Sequence, residues 1–425
     1  MEARAANATS SDRAERLYHR AVQDLLGGDG ATGVEKLSAA MRLDDSHYKA
    51  VRLYAALTMQ IGRDAAGREA MIRYFQRHPV RSRLQAAPRI KAALLSVRGF
   101  SKTRLIAARS EREGIKTTFR GGHFTTKFLL REPAYSVHRF TIAGENILRP
   151  GVVPEHGVML NTIADPDLEG ESLTTLITYL ERHPETRVIN RPEHVLKLTR
   201  DGNFRRFDPL PGVRFPETYR AWFQKAGIDE VAAKLAEFGL DGAPVIIRRA
   251  GGQTARKAAR VRSRAELAAA VGDGLTGEHY IVRYIEELWQ GRMFRKMRLF
   301  WIDGEFYPVV CHLDHHWNVR GDNRMEVMAK DPALLDEEMR YLADWRSYVG
   351  ATNADRLHEI AGMVGLEWFG MDFNVDSEGR LLIYELNPAM RHSFEHGTNF
   401  PYKLPSDHRI TDAFTTMVEK RLEAA

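Results

Sequence analysis

The chain has 425 residues, 44% hydrophobic and 28% charged, a globular composition too long for one core, so two or three domains are expected. Its 62 Lys and Arg against 56 Asp and Glu leave a net +6, which favours acidic ligands such as nucleotides or carboxylates and gives nucleic acid little support. One cysteine, Cys311, excludes a disulfide framework and any multi-thiolate metal site. There is no apolar run of about 18 residues and no signal-type apolar core at the start, so neither a membrane span nor export is expected and the compartment reads as cytoplasmic.

In chain order, the first segment is helical and self-similar. A shift of 34 residues superposes Ala21 on Ala55, Gly28 on Gly62, Ala31 on Ala65 and Gly33 on Gly67. This period over Asp12–Pro79 resembles tetratricopeptide repeats, with a further helix near Arg81–Arg98 expected to cap them. Two roles fit: a docking surface for a peptide or protein partner, or a helical extension that packs on its neighbour or makes a homodimer contact. The boundaries read as a helical repeat domain over 1–98 and a small α/β domain over 101–190. The α/β domain is marked by the β-like runs "SVHRFTI", "GVMLNTI" and "TRVIN" around a helix ending at Pro184. The rest, 191–425, divides into 191–290 and 291–425. Here "RPEHVLKLTRDGNFRRF" reads as one helix and "GVRFPETYR" as a loop. "DEVAAKLAEFGL" is a helix, "APVIIRR", "HYIVRYI", "KMRLFWI" and "FYPVVCHL" are strands, 325–366 is mostly helical and the tail is a closing helix.

Chemistry concentrates in three places. In "WFGMDFNVDSEGRLLIYELNPA", Glu385 and Asn387 share a strand face. A four-residue turn at Asp376–Gly379 would set Asp372 opposite Ile383, on that same face. One residue more or less in the turn would send it to the other side. Three hard oxygen ligands so placed suit Mg²⁺; the bland alternative is an edge-strand charge and a turn-forming Asn. In "PVIIRRAGGQTARKAARVRSR", a strand ending in Arg248 and Arg249 runs into the loop Gly251, Gly252, Gln253, Thr254, whose amides can approach phosphates. It is neither a P-loop nor a Rossmann fingerprint, and the seven Arg and Lys over 248–264 could equally be a solvated face or a nucleic-acid patch. In "GRMFRKMRLFWIDGEF", Lys296 and Arg298 point to one place and Arg295 away, an arrangement favourable only if an anion faces them.

The order of these motifs resembles the ATP-grasp fold over Ser136–Glu419, an α+β and α/β architecture in which a small α/β domain precedes a two-lobed nucleotide-binding domain. The closest likeness is to glutathione synthetase and ribosomal-protein glutamate ligases, here with an all-α helical-repeat domain in front. The resemblance implies Asp372, Glu385 and Asn387 on two Mg²⁺ ions (with Mn²⁺ as a substitute). It implies Arg248 on the α- and β-phosphates, with Gly251–Thr254 over them. Backbone groups of Tyr284 and Ile285 would read adenine, Glu286 or Glu287 the ribose, and Arg200 or Lys197 would be the first basic ATP contact. Arg298, with Lys296, would stabilise an acyl-phosphate. Two departures stand out. Arg248 replaces the usual Lys, keeping charge but not the compact ammonium, and Lys296 stands where peptide ligases often carry an acid.

"CHLDHHWNVR" puts His312, Asp314 and His316 on one strand face, cramped for a single metal ion, so His312, Asp314 and Trp317 read as substrate-recognition or packing residues. Arg391 and His392 in "RHSFEH" read as lining the acceptor end. The implied activity is an ATP- and Mg²⁺-dependent, ADP-forming carboxylate–amine (or hydroxyl, or thiol) ligase. Two alternatives are an enzyme forming lactam or ester links in a ribosomal peptide gripped by the repeats, and a nucleotide-binding scaffold without turnover.

Overall fold

The computed structural model describes all residues except 1, 113, 132 and 253–257, with residues 2–9 described as backbone only. The predicted loop residues Gln253 and Thr254 therefore lie outside the described residues. The chain forms two compact units, one of residues 1–122, 135–159 and 168–186, the other of 123–134, 160–167 and 187–425.

The first unit opens with helices α1 (Glu2–Gly27), α2 (Gly30–Leu43), α3 (Tyr48–Gln60) and α4 (Asp64–Arg77). Asp29 caps α2 by accepting from the Thr32 amide, and the His47 ring caps α3 by accepting from the Ala50 amide. The helices cross where side chains vanish. A Cβ at Gly33 would lie 2.6 Å from Leu25 Cγ and 3.2 Å from the Ala21 oxygen. At Gly67 it would lie 2.7 Å from the Ala55 oxygen and 2.9 Å from Met59 Cγ. Gly33, Ala21 and Leu25 map onto Gly67, Ala55 and Met59 by the same 34-residue shift, so the two crossings repeat one contact.

Strands β1 (Val80–Arg83), β2 (Leu94–Gly99), β3 (Arg104–Ser110), β4 (Gly114–Arg120) and β5 (Val137–Ile142) follow, and β6 (Val158–Asn161) begins in this unit. β5 lies between β1, antiparallel, and β2, parallel, while β3 and β4 form a hairpin. The capping helix expected near Arg81–Arg98 is therefore β1, a turn region and β2. Pro88 disfavours helix in the middle of that stretch, and "LLSVRG" buries nearly alternate residues as a strand does. Val51, Met59 and Phe75 of the helices share one core with Phe100, Leu105 and Ala143, so helices and sheet bury a common apolar face. Helix α5 (Pro166–Arg182), bent at Glu169, is tied down by that buried carboxylate, which accepts from the amides of Ser101 (2.8 Å) and Thr103 (3.1 Å).

In the second unit come β7 (Val188–Ile189), α6 (Pro192–Val195), α7 (Arg200–Phe207), β8 (Val213–Arg214), β9 (Thr218–Ala226), α8 (Ile228–Glu237), β10 (Val245–Arg249), β11 (Ala259–Val261), α9 (Arg264–Val271) and β12 (Leu275–Arg283). The single helix expected over 191–207 is split into α6 and α7, because Thr199 turns its hydroxyl onto the Gly202 amide (3.1 Å) and starts a new helix. The expected loop at "GVRFPETYR" holds β8 and the start of β9. Strands run β11-β10-β12-β9, all antiparallel, over a core that includes Phe223, Ile247, Leu267 and Ile281.

A second sheet is built from β13 (Leu288–Trp289), β14 (Met293–Ile302), β15 (Glu305–Asp314), β16 (Trp368–Val375) and β17 (Leu381–Asn387), with α10 (Pro332–Ala343), α11 (Trp345–Val349), α12 (Ala351–Val364) and α13 (Leu404–Glu423). Its order is β13-β14-β16-β17-β8, with β15 also pairing β14. Trp368, Phe369, Met371, Phe373 and Leu381–Ile383 are fully buried, which fixes the central hairpin in the core. No described helix is long and apolar enough to cross a membrane.

Candidate functional site

The hairpin β16–β17 reaches the expected geometry by an unexpected route. Its ladder begins at Val375↔Leu381, so the turn holds 376–380, one residue longer than anticipated. That alone would put Asp372 on the wrong face. A bulge between Asp372 and Phe373 shifts the register by one more, and Asp372 lands directly opposite Glu385, with Gly370 opposite Asn387. The Asn387 amide donates to Glu385 Oε1 at 2.7 Å.

The neighbouring strands extend this face. Arg298 lies opposite Asp372, and Lys296 lies opposite His312 across β14 and β15. One sheet face thus carries His312, Lys296, Arg298, Asp372, Glu385 and Asn387. Arg298 grips Asp372 with both arms of its fork (Nε to Oδ1 2.6 Å, Nη2 to Oδ2 2.9 Å), and Lys296 Nζ adds a contact at 3.3 Å. Burial raises the Asp372 carboxyl, but Arg298 and Lys296 outweigh it and hold the group well below the usual carboxylate range. Arg295 points elsewhere, to Asn374 (2.8 Å) and the Tyr348 hydroxyl (3.0 Å).

Facing groups come from α7 and the other sheet. Arg200, first residue of α7, bonds Glu385 Oε1, and Glu385 is held ionised against its burial by Arg200 and Arg248. Arg248, at the end of β10, closes onto the Gly252 carbonyl, and burial with the nearby Arg200 pushes its guanidinium down to about 10. The turn is tight: Gly251 has φ +69°, and a Cβ on Gly252 would lie 2.9 Å from the Arg249 oxygen. Four cations therefore gather around Glu385, Asp372 and Asp165, which feels both Arg200 and Arg248.

Beside them sits a network that motif reading did not find. Arg220 of β9 binds Asp167 (2.8 Å), Asp201 (3.0 Å) and Glu278 (3.0 Å), and the Tyr280 hydroxyl donates to Asp167 at 2.7 Å. It joins α7 to the edge strand β9 and its neighbour β12 in the smaller sheet. Its members are spread over more than a hundred residues of chain, so no local signal announces it.

The remaining predicted residues separate. Lys197 is exposed before α7, whereas Arg200 reaches the carboxylates. The Tyr284 amide already donates to the Pro244 carbonyl (2.8 Å), which leaves its own carbonyl and the groups of Ile285 for a base. Glu287 accepts from the Ser377 amide at 3.0 Å and closes the hairpin turn, while Glu286 is exposed. Trp317 stands edge-on to Tyr284 (5.9 Å), with Arg260 over both rings. His312 is half-buried and driven well below its ordinary value by desolvation and by Arg324, Lys296 and Lys403, so it is neutral. Asp314 spends its oxygens on the His316 amide and the Asn323 side chain, both at 3.0 Å. Arg391 is exposed and pairs with Glu395 (3.1 Å), and His392 is buried against Thr411 (3.2 Å). Neither Arg391 nor His392 is brought to the carboxylates. His396, the second histidine of "HSFEH", lies close to His312: a Cβ on Gly321 would be 3.4 Å from its Nε2 and 3.8 Å from that of His312.

Among the described residues no group of three His, Cys, Asp or Glu side chains gathers for a metal ion. The set that does converge is two carboxylates and an amide, all hard oxygen donors, and both carboxylates are held ionised. That chemistry fits Mg²⁺ with phosphate oxygens as its other ligands. Arginines occupy the same oxygens, so cation binding would exchange Arg contacts for metal contacts.

No family model matches the chain, and no curated protein matches it. Solved structures do. The D-alanine–D-alanine ligase from Coxiella burnetii aligns at 10% identity and TM-score 0.35, over 63% of this chain and 72% of its own. The VanG D-Ala:D-Ser ligase from Enterococcus faecalis aligns at 11% and 0.42, over 77% and 99%. The ATP-grasp ligase PsnB, solved with a minimal precursor, aligns at 13% and 0.33, over 59% and 70%. At these identities and scores the likeness assigns this chain neither a family nor an activity.

Proposed function

We propose that the second unit is an ATP- and Mg²⁺-dependent ligase that activates a carboxylate as its acyl-phosphate and joins it to an amine, releasing ADP and phosphate. The observation that supports it is the single sheet face carrying Asp372, Glu385 and Asn387, met by Arg200 and Arg248 from the opposite side. Phosphoryl transfer needs positioning and charge neutralisation more than a protein nucleophile. In this reading Asp372, Glu385 and Asn387 hold Mg²⁺, which when bound supplies charge neutralisation to the phosphate oxygens. Arg248, Arg200 and the Gly251–Gly252 turn bind the triphosphate. The Tyr284 carbonyl and Ile285 receive the base, and Glu286 the ribose. Arg298 and Lys296 then face the substrate carboxylate. Its oxygen bonds the γ-phosphorus as the bond to ADP breaks. The amine nitrogen next bonds the acyl carbon, phosphate leaves, and the amine proton passes to solvent. Neutral His312 with His396 lies at the acceptor end.

A second reading, in which the acceptor or donor belongs to a peptide held by the helical hairpins, is favoured by their repeated 34-residue crossing. The test is product identity. Protein with ATP, Mg²⁺ and a pool of amino acids and peptides is expected to release ADP and phosphate. AMP would exclude acyl-phosphate chemistry, and ATP binding without turnover would favour a scaffold. Glu385→Gln keeps the side-chain volume and is expected to lower turnover by roughly a hundredfold or more, as loss of a metal-binding carboxylate does; unchanged turnover in this variant would sink the assignment.

A further inference from the structure

The first unit holds a separate concentration of positive charge that the nucleotide reading leaves unused. β1 is the edge strand of its sheet. Arg81 stands directly opposite Arg139 on β5, and Arg83 shares Arg81's face two residues on. On β2, Arg98 lies opposite Thr141, bonding its hydroxyl (2.8 Å) and that of Tyr48 (3.1 Å). The Arg81 guanidinium stacks 4.1 Å from the Tyr48 ring, Arg98 stacks 4.3 Å from Phe119, and Arg52 lies 5.1 and 5.0 Å from those two rings. Among the described residues, Arg81, Arg83, Arg98 and Arg139 have no carboxylate partner.

Like charges directly opposed across a ladder are destabilising. The local potential is correspondingly positive. Burial and then Arg83, Arg81 and Arg98 hold the Arg139 guanidinium below its ordinary value. The Tyr48 phenol, which burial alone would raise, is brought down by Arg98, Arg52 and Arg81. Aromatic rings hold the guanidiniums in place without neutralising them.

The backbone adds the second half. The Thr141 amide donates to the Pro79 carbonyl at 2.9 Å, which fixes the phase of the β1–β5 ladder. Bonded pairs alternate along an antiparallel ladder, so Arg81 and Arg83 bond β5 and the N–H and C=O of Ser82 point to the open edge. Leu84, just beyond the strand, is 70% exposed.

We propose that β1 is a docking edge for an extended acidic peptide, which adds as a strand against Ser82, sets its carboxylates on Arg81, Arg83 and Arg139, and covers Leu84. Strand addition takes affinity from main-chain bonds and specificity from side chains on alternate positions, and this edge supplies both. Edge charge alone can serve to repel other strands. Clustering across three strands around one tyrosine goes beyond what repulsion needs. A nucleic acid would use the arginines but neither the Ser82 backbone nor Leu84. The proposal does not rest on ATP turnover.

The test is fluorescence anisotropy of a labelled peptide of alternating Glu and Val with the full chain. Binding is expected, with loss for the same peptide carrying Lys for Glu. The double variant Arg81→Glu/Arg139→Glu is expected to weaken binding by roughly tenfold or more. Ser82→Pro, which removes the outward N–H and leaves every charge, is expected to weaken it similarly, while Ser82→Ala, which removes only the hydroxyl bonded to His138 (2.7 Å), is expected to bind as the wild type. Thermal unfolding of each variant confirms that it is folded, and Arg83→Gln serves in place of the double variant if that fails to fold. No binding by the wild-type chain, binding indifferent to Ser82→Pro, or tighter binding of an oligo-dT of equal charge would each overturn the proposal.

Discussion

Asp372 is 3% exposed and yet ionised, because the Arg298 fork and Lys296 replace the water it gave up. A buried pair of this kind is revealed by breaking it on one side only. Arg298→Met is expected to cost on the order of 3–5 kcal/mol in urea denaturation, since it strands a buried carboxylate. Arg298→Met/Asp372→Leu is expected to recover most of that stability while neither variant turns over ATP. Equal stability of the single variant and the wild type would show that the pair is not what keeps Asp372 charged. A second residue reports through pH. Burial pushes the Asp407 carboxyl up to about 6, with Lys403 pulling it the other way. The folded state therefore holds a proton that the unfolded state releases near 3.8. The resulting stability is full below that value and is lost as pH rises through 6. Asp407→Asn should thus raise the melting temperature at pH 7 and change it little at pH 4. A gain equal at both pH values would count against a protonated Asp407.

At the scale of elements, the helical crossings make a graded prediction. Gly67 approaches a backbone oxygen at 2.7 Å, whereas the nearest atom to Gly33 is Leu25 Cγ at 2.6 Å, a side chain that can rotate away. Gly67→Ala should then destabilise by about 1–3 kcal/mol and Gly33→Ala by less, measured by chemical denaturation. The reverse order would mean that the two crossings are not equivalent in packing. The hairpin shows how far such elements are legible in sequence. Apolar runs around a Gly-containing turn reveal β16 and β17, and Asp372, Glu385 and Asn387 do share a face, but by a five-residue turn and a bulge that offset each other rather than by the four-residue turn expected. Neither the fifth turn residue nor the bulge has a sequence signature, because Tyr384 fits a bulge as well as a paired position. Strand β1 replaces the expected helix for a related reason: "VRSR" is polar and exposed, and nothing local separates an edge strand from a helix surface. The Arg220 network has no local signal at all, since its charges meet only after β9, β12, α7 and Asp167 are in place.

For the whole molecule, two arginine-rich places differ in their surroundings. On the β1 edge, Arg81 and Arg98 stack on rings, and these two with Arg83 and Arg139 lack carboxylate partners among the described residues. Around Glu385 and Asp372 they are interleaved with acids, an arrangement that can trade its internal ion pairs for a metal–phosphate ligand without leaving charge stranded. Every residue assigned to the nucleotide lies in the second unit. A ligand stabilises what it binds by mass action, about 2.7 kcal/mol at a hundred times its dissociation constant. Amides of the second unit that exchange only by unfolding should then slow by roughly a hundredfold when ATP and Mg²⁺ are added. The expected hydrogen-exchange map has protection in α7, at the end of β10, in β14 and across β16–β17, with α1–α4 unchanged. Protection appearing first in α1–α4 would place nucleotide binding in the helical unit and overturn the site. Protection in β10 and α7 without any in β16–β17 would keep the phosphate contacts but remove Asp372, Glu385 and Asn387 from the metal.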